Sequence, residues 1–334
     1  MFDTGSSAVL VPSSVCTDPG CVTHNRYNPF ESTTFRNTSQ LFNESFETGG
    51  GVDPTQFFTT AGFIATDTVS VGGLIVQNQS INAVVHQSAN FAPDPYDGVF
   101  GMGYVAPGSP AAFFQGLIDA KEVEAPIFGF YLSPVTTGNA ELTLGSYDSS
   151  KIKGPLHTIP TDPTLTFEVF GSVFANFTDI IVNDKKSGLS GGGVMDTGTT
   201  NIIAPTNQVA QEIYGLISSN IQLVNELGIF AAPCCELDEI TSNVSFVFGG
   251  MLFDIPPREL NVGPLPDGEA LIGSYAGRTD LCQAFINGAG LGVELGPEFD
   301  SSWIIGGSLL KYYYSVWNYP AAGLQLAETV QSPI

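Results

Sequence analysis

The chain has 334 residues, 43% hydrophobic and 11% aromatic, which is enough apolar material for about two domains and too much for a disordered or collagen-like chain. Ten Lys and Arg against 33 Asp and Glu leave a formal charge of -23, which repels phosphate backbones and anionic lipid and so argues against nucleic acid or a membrane surface as partner. Charged residues make up only 13% of the chain, so the imbalance is a shortage of bases, and in acid little positive self-repulsion remains.

In chain order, short alternating or β-branched runs at 63–71, 75–85, 142–144, 244–248 and 312–317 predict strands, and the Gly, Pro, Asn and Asp clusters between them predict turns. Two helices are predicted. One runs from Pro110 to about Lys121, with Ser109 as N-cap and Phe113, Phe114, Leu117 and Ile118 as its apolar stripe. The other runs from Thr206 to about Ser218, with Val209, Ile213 and Leu216 inward. The expected class is mostly β.

Five cysteines lack zinc spacing. Cys16 and Cys21 would close a short loop and Cys235 and Cys282 a longer one, leaving Cys234 unpaired. Disulfides imply an oxidising compartment, and the sequons at Asn37, Asn43, Asn78, Asn176 and Asn243 agree with one. No apolar run approaches the ~18 residues of a membrane span. The chain opens directly on Met1-Phe2-Asp3 without a signal peptide, so a secreted chain is expected to be a fragment or an incomplete gene model.

The most informative feature is a long-period repeat. Phe2-Asp3-Thr4-Gly5-Ser6-Ser7, continuing to Pro12, returns as Met195-Asp196-Thr197-Gly198-Thr199-Thr200, continuing to Pro205. Each copy is followed by an apolar pair and a glycine, at Val99-Phe100-Gly101 and Ile304-Ile305-Gly306, 98 and 110 residues after its aspartate. This predicts two related lobes, 1–153 and 154–334, divided near Ser146 to Pro163 where the strand pattern lapses.

In each turn a strand end delivers an aspartate among small and hydroxylated residues. Gly5 and Gly198 permit unusual backbone conformations and close approach of amides, and Thr4, Ser6, Thr197 and Thr199 supply hydroxyl donors. If the lobes face each other, Asp3 and Asp196 meet in the cleft and cannot both ionise cheaply, so they share a proton. One carboxylate then takes a proton from water while the other gives one to a substrate carbonyl, with no metal or cofactor required.

These residues resemble the pepsin-like family of aspartic peptidases, with secreted or vacuolar fungal members the nearest in pattern. The two Asp-Thr-Gly turns, Asp97-Gly98-Val99-Phe100-Gly101, Thr66-Asp67-Thr68-Val69 and Trp303-Ile304-Ile305-Gly306 before Tyr312-Tyr313 fall in family order. The resemblance implies a bilobal β fold and a monomeric acid endopeptidase, extracellular or vacuolar, that binds polypeptides across the cleft and favours bulky apolar side chains. It implies Asp3 and Asp196 as the catalytic pair, Thr4 and Thr197 as braces between the turns, and Ser6 and Thr199 as donors to the outer carboxylate oxygens. Cys16–Cys21 and Cys235–Cys282 match family disulfides.

Departures from the pattern concern the flap. Phe46, before Glu47, Thr48 and Gly49, stands where the family has a tyrosine, and Leu10 stands where it has the tryptophan that bonds that tyrosine. Losing both replaces a hydrogen bond by an apolar contact and predicts a working flap with altered kinetics. Val52 to Gln56 lengthens the flap, Gly307 replaces an aspartate near the pair, and the strand that precedes the first turn in the family has no counterpart, which predicts an exposed sheet edge.

Weaker signals are read structurally. Gly188-Leu189-Ser190-Gly191-Gly192 is expected to be a hairpin rather than a nucleophile elbow. His24, His86 and His157 are too scattered for a metal site, and 288–292 is not a phosphate loop. Phe91, Tyr96 and Val99 suit either the cleft or the core. A non-catalytic binding protein on the same frame is the alternative function; an acid glycosidase is disfavoured because its carboxylates do not come from repeated turns.

Overall fold

The computed structural model describes residues 1–46, 58–105, 109–134, 138–226, 228–265, 271–288 and 301–330. Strands dominate, as the alternating runs require, and the helices are short. The first half forms a six-stranded sheet in the order Phe2–Asp3, Val99–Gly101, Val9–Pro12, Leu74–Gln87, Phe58–Val71, Arg36–Phe46. Phe2–Asp3 lies at its edge.

The inner part of that sheet recurs in the second half. Phe2–Asp3 runs parallel to Val99–Gly101, which runs antiparallel to Val9–Pro12, which runs parallel to Leu74–Gln87. Gly191–Met195, Ser302–Ile305, Ile202–Ile203 and Ile286–Asn287 show the same three relations in the same order. The equivalence extends to single residues: Leu10 pairs with Asn82, and Ile203, at the matching place in the repeat, pairs with Asn287. Met195, Ile202 and Ile305 are fully buried, as expected of a sheet covered on both faces.

A further five-stranded sheet draws on both halves, in the order Glu141–Leu144, Ile127–Tyr131, Tyr313–Asn318, Gly323–Thr329, Ile152–Ile159. The last of these strands corrects the reading of Ser146 to Pro163 as a patternless connector. Long-range pairing with Gly323–Thr329 provides what the local sequence lacks, and Gly154, at φ 82°, sits where the register shifts between Leu326 and Glu328. Nearby, Tyr319 stacks on Tyr104 with ring centroids 4.4 Å apart and donates its hydroxyl to Gly103 O at 2.8 Å, tying the C-terminal segment to the loop behind the first turn.

Both helices differ in detail from the sequence reading. The first spans Phe113–Ala120, with Ala112 extended at the N-cap; Ala111 O accepts from Gln79 Nε2 at 3.2 Å, so Ser109 is not its cap. The second spans Asn207–Ile217 and is capped by Thr206, whose side chain accepts from Val209 N–H at 3.2 Å. Its buried face is Ala210, Ile213 and Tyr214, and Leu216 is exposed. The hairpin expected at Gly188–Gly192 lies one step earlier, where Asn183 and Asp184 turn at positive φ between Ile180–Val182 and Lys185–Lys186. Ser190 leads straight into the strand Gly191–Met195.

The disulfides need one correction. Cys16 bonds Cys21, but Cys282 bonds Cys234 and not Cys235, which is free and exposed. Ladder geometry decides between two adjacent cysteines. Ala232 pairs with Cys282, so Cys234, first residue of the helix Cys234–Glu239, emerges beside it with 4.7 Å between Cα atoms, whereas the helical turn carries Cys235 outward. Cys235→Ser is therefore expected to leave thermal stability unchanged. Cys234→Ser opens a 48-residue separation and should cost about 2–4 kcal/mol, measured by denaturant unfolding alongside a free-thiol titration.

Asp67 anchors the first half's outer loop. Buried within the strand Phe58–Val71, at an irregularity of its ladder, it accepts from Tyr27 Oη at 2.5 Å, Ser32 Oγ at 2.8 Å, Thr68 N–H at 2.7 Å and the Thr34 hydroxyl. Burial pushes its carboxyl up, but these four donors together hold it below the ordinary carboxylate range. A depressed carboxyl contributes stability that is present above its unfolded pKa and is lost as pH falls through the folded one. Asp67→Ala should lower unfolding free energy by about 2–4 kcal/mol at pH 6 and by less at pH 2, compared by urea denaturation.

Candidate active site

The two repeated turns meet. Asp3 ends its strand opposite Gly101 of the parallel neighbour, with its carbonyl accepting from Met102 N–H at 2.7 Å. Asp196 follows Met195 in the same position, its N–H donating to Ile305 O at 3.0 Å. Both carboxyls are buried at 6% exposure, and their Oδ1 atoms lie 2.4 Å and 3.1 Å from the place a Cβ on Gly198 would take.

Each carboxyl has a matching set of donors. Asp3 Oδ1 accepts from Gly5 N–H at 2.8 Å and Oδ2 from the Ser6 hydroxyl. Asp196 Oδ1 accepts from Gly198 N–H at 2.7 Å and Oδ2 from Thr199 Oγ1 at 2.5 Å. The threonines after the aspartates hold the turns together reciprocally. Thr4 Oγ1 donates to Met195 O at 2.8 Å and accepts from Thr197 N–H at 3.0 Å; Thr197 Oγ1 donates to Phe2 O at 3.1 Å and accepts from Thr4 N–H at 3.0 Å. These four bonds position one carboxyl relative to the other.

Space, not backbone twist, requires the two glycines, since neither is among the residues at positive φ. A Cβ on Gly198 would lie 2.4 Å from Asp3 Oδ1, and one on Gly5 would lie 2.5 Å from Asp196 Oδ1. Each carboxyl thus packs against the glycine of the opposite turn.

The pair forms the floor of a cavity of about 400 Å³. Its walls include Leu10, Phe46, Val99 and Tyr104 from the first half and Phe170 and Ile304 from the second. A duplicated aspartyl turn, paired and buried at the base of a cleft between two matching sheets, is the arrangement that decides the family. The chain belongs to the eukaryotic aspartyl proteases.

The family's sequence profile, described as "Asp: Eukaryotic aspartyl protease", matches residues 1–329. Among curated relatives, "Cathepsin E-B" of Xenopus laevis is 28% identical over 342 residues, covering 100% of this chain and 76% of its own. "Pepsin A" of Rhinolophus ferrumequinum is 28% identical over 323 residues, covering 95% of this chain and 74% of its own. "Aspartic protease" of Phaffia rhodozyma is 28% identical over 337 residues, covering 98% and 73%. The fold is accordingly the bilobal pepsin-like one and the activity that of an aspartic endopeptidase.

In this protease Asp196 has a carboxyl pushed well above the ordinary range, first by burial and then by the neighbouring charge and hydrogen bond of Asp3; the donors Thr199 and Gly198 act the other way and do not prevail. Gly307, where the family pattern has an aspartate, opens the short helix Gly307–Leu310 and donates its N–H to Thr199 O at 2.8 Å, behind the second turn. Of the expected flap residues, Phe46 lines the cavity and packs on the apolar cluster of Leu10, Cys16, Cys21, Val84 and Val99, with Phe91 edge-on at 6.2 Å. Glu47, Thr48, Gly49 and the stretch Val52 to Gln56 lie outside the described residues.

Of three residues left between cleft and core, Val99 lines the cavity; Phe91 is buried beside it, and Tyr96 is half-buried and hydrogen-bonded to Asp94. His24 bonds Phe91 O at 2.8 Å, His86 is exposed beside Asp18, and no group of metal-ligating side chains occurs among the described residues. Asn37, Asn43, Asn78 and Asn176 are exposed and Asn243 is half-buried. Two parts of the wall escaped the sequence reading. Phe170 and Gly171 belong to a second-half segment that crosses to the first turn, where Tyr104 N–H donates to Gly171 O at 2.7 Å, and only tertiary structure reveals it. Glu44 was legible as a carboxylate on the apolar face of Phe42-Glu44-Phe46.

The glycine contacts give a direct test. Gly198→Ala should lower kcat/KM at least about 100-fold with little loss of secondary structure, measured by peptide hydrolysis and circular dichroism, because the methyl displaces the Asp3 carboxyl from its partner.

Proposed function

We propose that the protease hydrolyses peptide bonds in acid by activating water between Asp3 and Asp196. What carries this reading is the close approach of the two buried carboxyls on the cavity floor. With one proton between them, the ionised member takes a proton from water as the water oxygen bonds to the scissile carbonyl carbon. The neutral member gives its proton to the carbonyl oxygen. Collapse of the resulting diol breaks the C–N bond, and a proton passes to the leaving nitrogen. Water supplies both the hydroxyl and the hydrogen that the two products gain.

Apolar walls such as Leu10, Phe46, Val99, Phe170 and Ile304 favour bulky apolar side chains beside the scissile bond. The two halves serve as the lobes of a monomer that embraces an extended polypeptide, with the strand Ile152–Ile159 at their junction. The two disulfides support an extracellular or vacuolar setting, and no helix among the described residues is long and apolar enough to cross a membrane. Both carboxyls keep their full set of donors, which leaves the binding-protein alternative without support.

Cleavage of denatured haemoglobin or casein between pH 2 and 6, blocked by pepstatin, is expected, and Asp3→Asn and Asp196→Asn should each reduce kcat/KM by about 10³-fold or more. Absence of acid proteolysis, or an active Asp196→Asn variant, would defeat the reading. The rate should fall on the alkaline side as the shared proton is lost, at a pH above the ordinary carboxylate range because Asp196 is raised. A raised carboxyl also costs stability as pH rises from its unfolded to its folded pKa. Asp196→Asn should therefore be the more stable form at pH 7 and lose that advantage at pH 3, read by thermal unfolding at both values.

A further inference from the structure

A third carboxyl lines the cavity and takes no part in the chemistry above. Glu44 lies on Arg36–Phe46 between Phe42 and Phe46, and strand alternation turns all three toward the same apolar cluster. A carboxyl on an apolar face is unfavourable unless something holds or uses it. Asn82, from Leu74–Gln87, donates its Nδ2–H to Glu44 Oε1 at 2.8 Å and orients the group at the cavity wall.

One amide donor leaves most of a carboxylate's acceptor capacity unused. Its other neighbours are uncharged: Thr60 is its partner across the ladder, and Leu10 is the partner of Asn82. The charged groups of the strands packed there are engaged elsewhere, Asp67 with Tyr27, Ser32 and Thr34, and His86 with Asp18. No Lys, Arg or His lines the cavity among the described residues, and its other acidic members are Asp3 and Asp196. The site therefore lacks a cation, and the excess of 33 Asp and Glu over 10 Lys and Arg draws cationic ligands toward the protein as its carboxyls ionise.

We propose that Glu44 is a specificity-determining residue of the cleft, whose carboxylate receives the Lys or Arg side chain of a bound polypeptide at one subsite on the Asp3 side. This rests on the endopeptidase reading and adds a basic-residue preference to the apolar one. Burial raises Glu44 above its ordinary pKa against the opposing Asn82 bond, so the carboxyl is neutral at the acid end of the working range and its charge develops at a higher pH than that of an exposed glutamate. Discrimination for a basic side chain grows in the same direction.

The test uses a peptide with one apolar scissile bond and places Lys or its uncharged isostere norleucine at each position from three residues before the bond to three after. The kcat/KM ratio of the Lys to the norleucine peptide is followed from pH 3 to 6. At one position the ratio should rise about tenfold with pH, the scale of one charge-assisted hydrogen bond, and should stay flat in Glu44→Gln and Glu44→Leu. The ratio is internal to each variant, so altered absolute rates do not obscure it. Glu44→Asp, with its carboxyl drawn back, should keep part of the rise. A flat ratio at every position in the unmodified protein would overturn the proposal, as would a rise that persists in Glu44→Gln, which would assign the effect to Asp3 or Asp196. If no norleucine peptide is cleaved at all, the endopeptidase reading falls first and this inference with it.

Discussion

Two carboxyl groups of the same sign are buried in contact, and that is the condition the rest of the structure is arranged to meet. Left alone, such a pair would separate, take up water or both protonate. Here the separation is blocked mechanically. The reciprocal Thr4 and Thr197 bonds hold the two turns at fixed distance, and each carboxyl is backed by a glycine from the other half. Backbone amides and hydroxyls bond the oxygens of both carboxyls, and in the mechanism proposed above the pair relieves its repulsion by sharing one proton.

That arrangement follows from topology more than from local chemistry. In both halves the strand that delivers the aspartate is parallel to a downstream strand, which in turn separates it from the strand leaving the turn. Gly101 and Gly306 sit where a Cβ would strike the backbone of their own turn, at 2.4 Å and 2.3 Å respectively. The downstream apolar-Gly segment is thus the piece that lets each turn close, which accounts for its recurrence with every aspartyl turn in this chain.

The cavity walls show how an apolar site absorbs a change of side chains. Phe46 and Leu10 stand at positions where the family pattern has a hydrogen-bonded aromatic pair, and Phe46 packs into the cluster that contains Leu10. Polar character reappears one pleat away at Glu44 and Asn82, on the same face of the sheet. The wall has both a bulky apolar surface and one carboxyl, a combination suited to reading more than one kind of side chain.

Much of this was legible in the linear chain because it repeats there. Two copies of an eleven-residue turn, each with its apolar-Gly partner at similar distance, specify a β protein with two matching halves and single out the two aspartates as candidates. The long strands Phe58–Val71 and Leu74–Gln87 were readable over most of their length from β-branched and alternating runs, a local property, although the run of buried residues 81–84 departs from period 2. The choice between Cys234 and Cys235 was not, because adjacent residues differ only in the direction that a ladder and a helical turn impose on them. Nor was the strand Ile152–Ile159, whose Gly and Pro gain order only from Gly323–Thr329, or the crossing of Phe170 and Gly171 to the first turn. Contacts between residues far apart in the chain leave no periodic trace in it, and the distance between the two carboxyls is such a contact.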